Sequence, residues 1–373
     1  MTLIETSTSW VPRTWIGAPA PGGLALPAAQ PTGSHLYAPR GVWLDDGLLV
    51  VADSGNHRVM VWHGVPDEDE APADVVLGQP DATSEGPGAA GRGPERGMHL
   101  PCGVFVHDGR LVVCDSWHHR ILIWDDVPRS SDVAPDVILG QVDASSTLEN
   151  RGAGTSATGL YWPYGAAVVD GWFWVADTGN RRVLGWDGLP GPDDEPDVVL
   201  GQPDADGRDE NRGGEAAADS FRWPHDIAGD ADRLLVADAG NHRALGWAPR
   251  PDRDGPAGWA MGQNDLTTAT EFPYAPQTAA GFRFPYAIDL DGDHLVVADT
   301  ANNRVLWWEG IPQRTGAPAD GVLGQPDLTA NGENRWDRVD RDTLCWPYGI
   351  SLHGARLAVA DSGNNRVMVW ERR

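Results

Sequence analysis

The chain has 373 residues, with 28 basic and 54 acidic side chains and a net charge of −26, and every basic residue is arginine. The missing lysines exclude a lysine Schiff base and a phosphate-loop lysine. The charge argues against nucleic acid, which needs a basic face, and against an anionic membrane surface.

Three cysteines, Cys102, Cys114 and Cys345, are too few for a disulfide framework, and no CxxC pair offers a zinc knuckle. The stretch Met1–Arg13 lacks the apolar core of a signal peptide, and no apolar run has the length of a membrane span. These features point to a soluble, cytoplasmic, bacterial protein. Glycine (46) and proline (30) are abundant, yet 41% hydrophobic content and 18 tryptophans do not fit a disordered chain. That mixture suits many short strands joined by tight turns.

In chain order, the first expected strand lies near residues 14–18, around Trp15-Ile16-Gly17. Four short apolar runs follow: Gly41–Leu44, Leu48–Ala52, Arg58–Trp62 and Val75–Gly78. Runs of this length, punctuated by Asp-Gly and Ser-Gly, read as strands in hairpins and not as helices. The same text then recurs. Trp62, Trp124, Trp186, Trp247, Trp308 and Trp370 are spaced by 61 or 62 residues. Nine residues before each stands an aspartate (Asp53, Asp115, Asp177, Asp238, Asp299, Asp361), and fourteen before that a proline (Pro39, Pro101, Pro163, Pro224, Pro285, Pro347). The hairpins read VADSGNHRVMVW, VCDSWHHRILIW, VADTGNRRVLGW, VADAGNHRALGW, VADTANNRVLWW and VADSGNNRVMVW, and an outer segment such as VVLGQPD follows five of them. Four strands repeated six times predict an all-β, six-bladed β-propeller with four antiparallel strands per blade. The chain ends three residues after Trp370, so the strand near 14–18 is expected to complete blade six and close one ring spanning 1–373.

The P-x-G start, the VADxGNxRV hairpin and the LGQPD outer strand resemble the NHL repeat family. That resemblance implies a six-bladed propeller, a fold used for protein binding, RNA binding and metal-dependent lyase chemistry. The peptidyl-hydroxyglycine amidating lyases, a distant likeness, hold zinc with histidines at proline-adjacent positions, and only His225 matches one of them here.

Strand order brings the Pro-x-Gly segments, the DxGN turns and the long loops after each GQPD to one face. The residue after each proline is expected to face the channel: Arg40, Cys102, Tyr164, His225, Tyr286 and Tyr348. Cys102 and His225 are expected as metal ligands, or as nucleophile and base. Tyr164 between them serves as general acid or oxyanion donor, Arg40 holds an anionic group, and Tyr286 and Tyr348 border a bound cofactor. Blade two departs most, with Trp117-His118-His119 where the others have a Gly-Asn type of turn, and His99 beside it. His118 and His119 therefore join Cys102 and His225 as candidate ligands of one divalent transition metal: zinc, copper or iron. His57 and His242 are read as loop hydrogen-bonders, Cys114 as core and Cys345 as packing. The sixfold Asp and Arg of each hairpin form a structural lock, the Glu-Asn-Arg triples anchor the long loops, and the acidic runs Asp67–Glu70 and Asp193–Glu195 are solvated surface. The expected activity is a small-molecule lyase or hydrolase. The alternative is a non-catalytic protein- or ligand-binding scaffold.

Overall fold

In the computed structural model, residues 9–17, 30–271 and 277–373 are described. The leader expectation drawn from Met1–Arg13 rests partly on residues 1–8, outside the described residues. Six four-stranded antiparallel sheets form the molecule. In the first blade the strands are Gly41–Leu44, Leu49–Asp53, Arg58–Trp62 and Val75–Leu77. Each matches its expected apolar run within a residue or two. The N-terminal strand Trp10–Gly17 pairs antiparallel with Arg366–Arg372, with Trp15 opposite Met368, and forms the outer edge of blade six. Each inner strand packs against the inner strands of both neighbours, which closes the ring. Among the described residues, no helix is long and apolar enough to cross a membrane.

The blades hold together because neighbouring sheets bury facing apolar surfaces. Val50, Ala52, Val59 and Val61 of blade one pack with Val104, Leu111, Val113 and Leu122 of blade two in one core cluster. Close approach at the axis dictates the small residue that follows five of the six channel residues. A Cβ on Gly41 would lie 1.8 Å from the Cys102 carbonyl oxygen, so any side chain there would force the inner strands apart.

Three polar devices recur around the ring. The first is the hairpin lock. Asp53 Oδ2 accepts from Asn56 Nδ2 (2.8 Å) and from Arg58 Nε (2.7 Å), while its Oδ1 accepts from the Tyr37 backbone N–H. The Arg58 guanidinium also donates to the carbonyls of Ala82, Thr32 and His35. All six Asp–Arg pairs measure 2.6–3.0 Å with the guanidinium almost fully buried. The second is a hydroxyl on the residue after the aspartate: Ser54, Ser116, Thr178 and Thr300 donate to the carbonyl of the next blade's proline.

The third device links consecutive blades through the variable residue of GNxR. That residue is left-handed in all six hairpins, with φ of 53–56°. From there His57 Nδ1, His119 Nδ1 and His242 Nδ1 accept the backbone N–H of Leu100, Trp162 and Phe284. Asn303 and Asn365 do the same with Oδ1, for Trp346 and Ala38. Each donor immediately precedes a blade's proline and is itself at positive φ. Arg181 has no acceptor to offer, and Trp223, its counterpart in the next blade, bonds Asp238 instead.

The Glu-Asn-Arg triples anchor their loops: Asn150, Asn211 and Asn334 pair side chain to side chain with the hairpin asparagines Asn180, Asn241 and Asn364. The run Asp67–Glu70 is exposed, although Asp69 also accepts from the Trp15 backbone N–H at 2.9 Å.

Candidate functional site in the central channel

The six proline-adjacent residues meet around a cavity of about 70 Å³ on the propeller axis. Their side chains form a continuous ring. The Arg40 guanidinium lies 5.1 Å from the Tyr348 ring centre, and Tyr348 is 4.6 Å from Tyr286. Tyr286 stacks on His225 at 4.5 Å and 13°, and His225 lies 4.5 Å from Tyr164. Cys102 completes the circuit, lining the same cavity as Arg40. A second cavity, about 80 Å³ at the outer edge between blades one and two, is lined by Met98, Leu122, Trp124 and Ile138. Its buried arginine, Arg120, is committed to Asp115.

Arg40 differs from the six lock arginines because it forms no ion pair among the described residues. Burial opposes its charge, while Cys102, Tyr348 and Tyr164 raise its pKa further, so it stays a cation. A half-buried guanidinium on a ring of hydroxyls, with no ion pair among the described residues, is a ready anion site. His225 is fixed by its Nδ1, 3.1 Å from the Trp223 carbonyl oxygen. Because a carbonyl only accepts, Nδ1 carries the proton and Nε2 keeps the lone pair. Burial, with Arg40 as a lesser contribution, lowers the His225 pKa to about 4, so the imidazole is neutral at pH 7. Burial likewise lifts the phenols of Tyr164, Tyr286 and Tyr348 above the usual tyrosine range, leaving them as hydroxyl donors.

Cys102 is held differently from either expected role. Burial raises its pKa more than Arg40 lowers it, and Sγ donates to the Leu100 carbonyl at 3.4 Å. It is a neutral thiol at pH 7, whereas a nucleophile or ligand must be the thiolate.

The expected metal set is not assembled. His118 takes over the lock asparagine's place, with Nδ1 2.9 Å from Asp115 Oδ2. His119 is the left-handed residue that accepts Trp162 N–H. Neither lines the channel cavity, where Cys102 and His225 stand with Tyr164 between them. Among the described residues, no group of three or more His, Cys, Asp or Glu is arranged to hold a metal ion. The zinc site implied by the amidating-lyase resemblance does not fit these residues.

Sequence reasoning missed Asp226. Five copies carry Gly41, Gly103, Gly165, Ala287 or Gly349 two residues after the proline, and the fourth carries this aspartate. It lines the cavity, and its Oδ2 accepts the Ile288 backbone N–H at 3.1 Å. Burial pushes its pKa to about 7. The break in the glycine column was the available signal.

Residues 36–62, the first lock hairpin with its approach, match the model of the NHL repeat. That segment carries an NHL repeat. Five more copies of that hairpin extend the NHL pattern around the ring. No curated protein matches the chain in sequence. Among solved structures, a protein of unknown function from Bacteroides thetaiotaomicron is 12% identical, with a TM-score of 0.55 over 98% of this chain and 76% of that one. A gluconolactonase from Xanthomonas campestris is 15% identical with a TM-score of 0.48, covering 96% of this chain and 97% of that one. Virginiamycin B lyase from Staphylococcus aureus is 13% identical with a TM-score of 0.44, covering 98% and 99%. At such identities a likeness shows the fold alone.

Proposed function

We propose that the channel is the active site of a small-molecule enzyme of lyase or hydrolase type acting on an anionic substrate. The carrying observation is the coincidence on one ring of a half-buried cation with no ion pair among the described residues, Arg40, and a histidine oriented by a backbone carbonyl, His225. Arg40 anchors the anionic group. His225 Nε2 takes a proton from the reacting carbon or from the attacking water, and the Tyr164 hydroxyl donates to the oxygen that gains charge.

A base with a pKa near 4 is weak, and burial, the main cause, persists in the complex. A bound anion offsets only the lesser Arg40 contribution, so basicity rises in part when the substrate is in place. Asp226, one residue along the strand, provides a second proton reservoir near neutrality.

The test is a turnover screen of the full-length protein against lactones and esters that carry a carboxylate, and against β-substituted acids for elimination. An activity that falls roughly 10²–10⁴-fold in both Arg40→Gln and His225→Ala is expected. Turnover untouched by both substitutions contradicts the assignment.

The second reading is a scaffold that binds a protein or ligand without turnover. Trp336, 71% exposed on the long loop of blade five, favours it, because exposed aromatics suit a binding face. Its sign would be binding that depends on Trp336 with no turnover of any panel member.

A further inference from the structure

The rim of the channel carries a feature that the ring chemistry does not use. Five of the six hairpins have Gly or Ala at one turn position (Gly55, Gly179, Gly240, Ala301, Gly363), and blade two has Trp117. Trp117 packs between Trp162 (5.6 Å) and His99 (5.5 Å), lies beside Tyr164 of the ring and influences its phenol, yet remains 40% exposed. A tryptophan placed where the fold needs no side chain, next to a ring tyrosine and still 40% exposed between its two ring neighbours, presents indole surface at the mouth of the channel. The other rim pair, Trp223 and Phe284, is already stacked on itself at 6.1 Å and 21°.

Size decides how a ligand uses that face. A cavity of about 70 Å³ matches about two waters at their liquid share of about 30 Å³ each, enough for a carboxylate and an adjoining carbon. Anything larger must leave its remainder at the rim. A cation is repelled by Arg40, and a ligand without charge leaves that guanidinium unpartnered.

Resting on the anion reading above, we infer that the site takes a planar aromatic carboxylate, with the carboxylate on Arg40 and the ring against Trp117. An aromatic contact of this kind is worth about tenfold in affinity.

Calorimetric titration of the full-length protein with phenylacetate, cyclohexylacetate and acetate tests this. Phenylacetate is expected to bind about tenfold tighter than acetate, and tighter than cyclohexylacetate. Trp117→Gly, which restores the residue of the neighbouring hairpins, should erase that preference and leave acetate affinity unchanged, while Trp117→Phe retains it. Equal binding of the three acids, or a preference that survives Trp117→Gly, overturns the aromatic assignment while the anion site stands, provided Arg40→Gln still weakens all three. Failure of every acid to bind the unsubstituted protein overturns the anion site and this inference together.

Discussion

At the scale of single residues, the six lock arginines and Arg40 show how one side chain serves opposite ends. Arg243 spends Nε on Asp238 and its other nitrogens on the carbonyls of Leu266, Ala217 and Ser220. Removing it strands a buried carboxylate and three carbonyls, so Arg243→Ala should cost about 3–5 kcal/mol in denaturant unfolding. Arg243→Lys should cost nearly as much, because one ammonium cannot reproduce the planar fork. Arg40 has no such commitment, and Arg40→Gln should leave the unfolding midpoint within about 0.5 kcal/mol of the unsubstituted protein. The contrast separates an arginine kept for the fold from one kept for a ligand.

At the scale of elements, the blade-to-blade latch predicts a specific pH response. His57, His119 and His242 accept hydrogen bonds through Nδ1, and burial lowers each pKa to about 4 from an unfolded value near 6.5. Their contribution is therefore complete above pH 6.5 and is lost as pH falls toward 4, when the unfolded chain binds more protons than the folded one. After allowance for solvent screening the loss is on the order of 1 kcal/mol per imidazole. Asp226 and Asp289, raised to about 7 by burial, act oppositely across the same range, losing stability as pH rises toward 7. A difference measurement isolates the latches. The triple variant His57→Asn, His119→Asn, His242→Asn copies Asn303 and Asn365, which hold the same bond. It should match the unsubstituted protein at pH 7.5 and exceed it at pH 4.5 in thermal unfolding. Parallel pH profiles for the two proteins would remove the latch from the account.

The same elements show what was legible in the sequence. Strands, hairpins, blade number and the identity of the six ring residues followed from periodicity, because a fold that repeats its contacts must repeat the residues that make them. Blade two misled for a related reason. His118 breaks the text of the motif while keeping its bond, since an imidazole Nδ1 reaches Asp115 as the Asn amide does in the other hairpins. Asp226 was overlooked because attention fell on the residue after each proline. The protonation states of Cys102 and His225 depend on burial and on the Leu100 and Trp223 carbonyls, and single-residue patterns do not encode those distances.

At the scale of the whole molecule, the ring depends on a strand from the opposite end of the chain. Ile16 is fully buried in the cluster that joins blades six and one, beside Leu36, Val367 and Val369. Ile16→Ala should cost about 2–5 kcal/mol, and, because it loosens the closure, should lower the stability of the entire ring in one transition. A local loss, with the remaining blades unfolding as before, would mean that blades fold independently.

The central claim is that the channel binds an anion through Arg40 and that binding raises the basicity of His225. Calorimetric titration of acetate at pH 5, in two buffers of different ionisation enthalpy, measures both parts at once. The account predicts binding that is lost in Arg40→Gln and persists in His225→Asn, with the unsubstituted protein taking up more protons per acetate bound than His225→Asn does. Acetate affinity unchanged by Arg40→Gln would contradict the anion site. Equal proton exchange in the two proteins would contradict the coupling to His225.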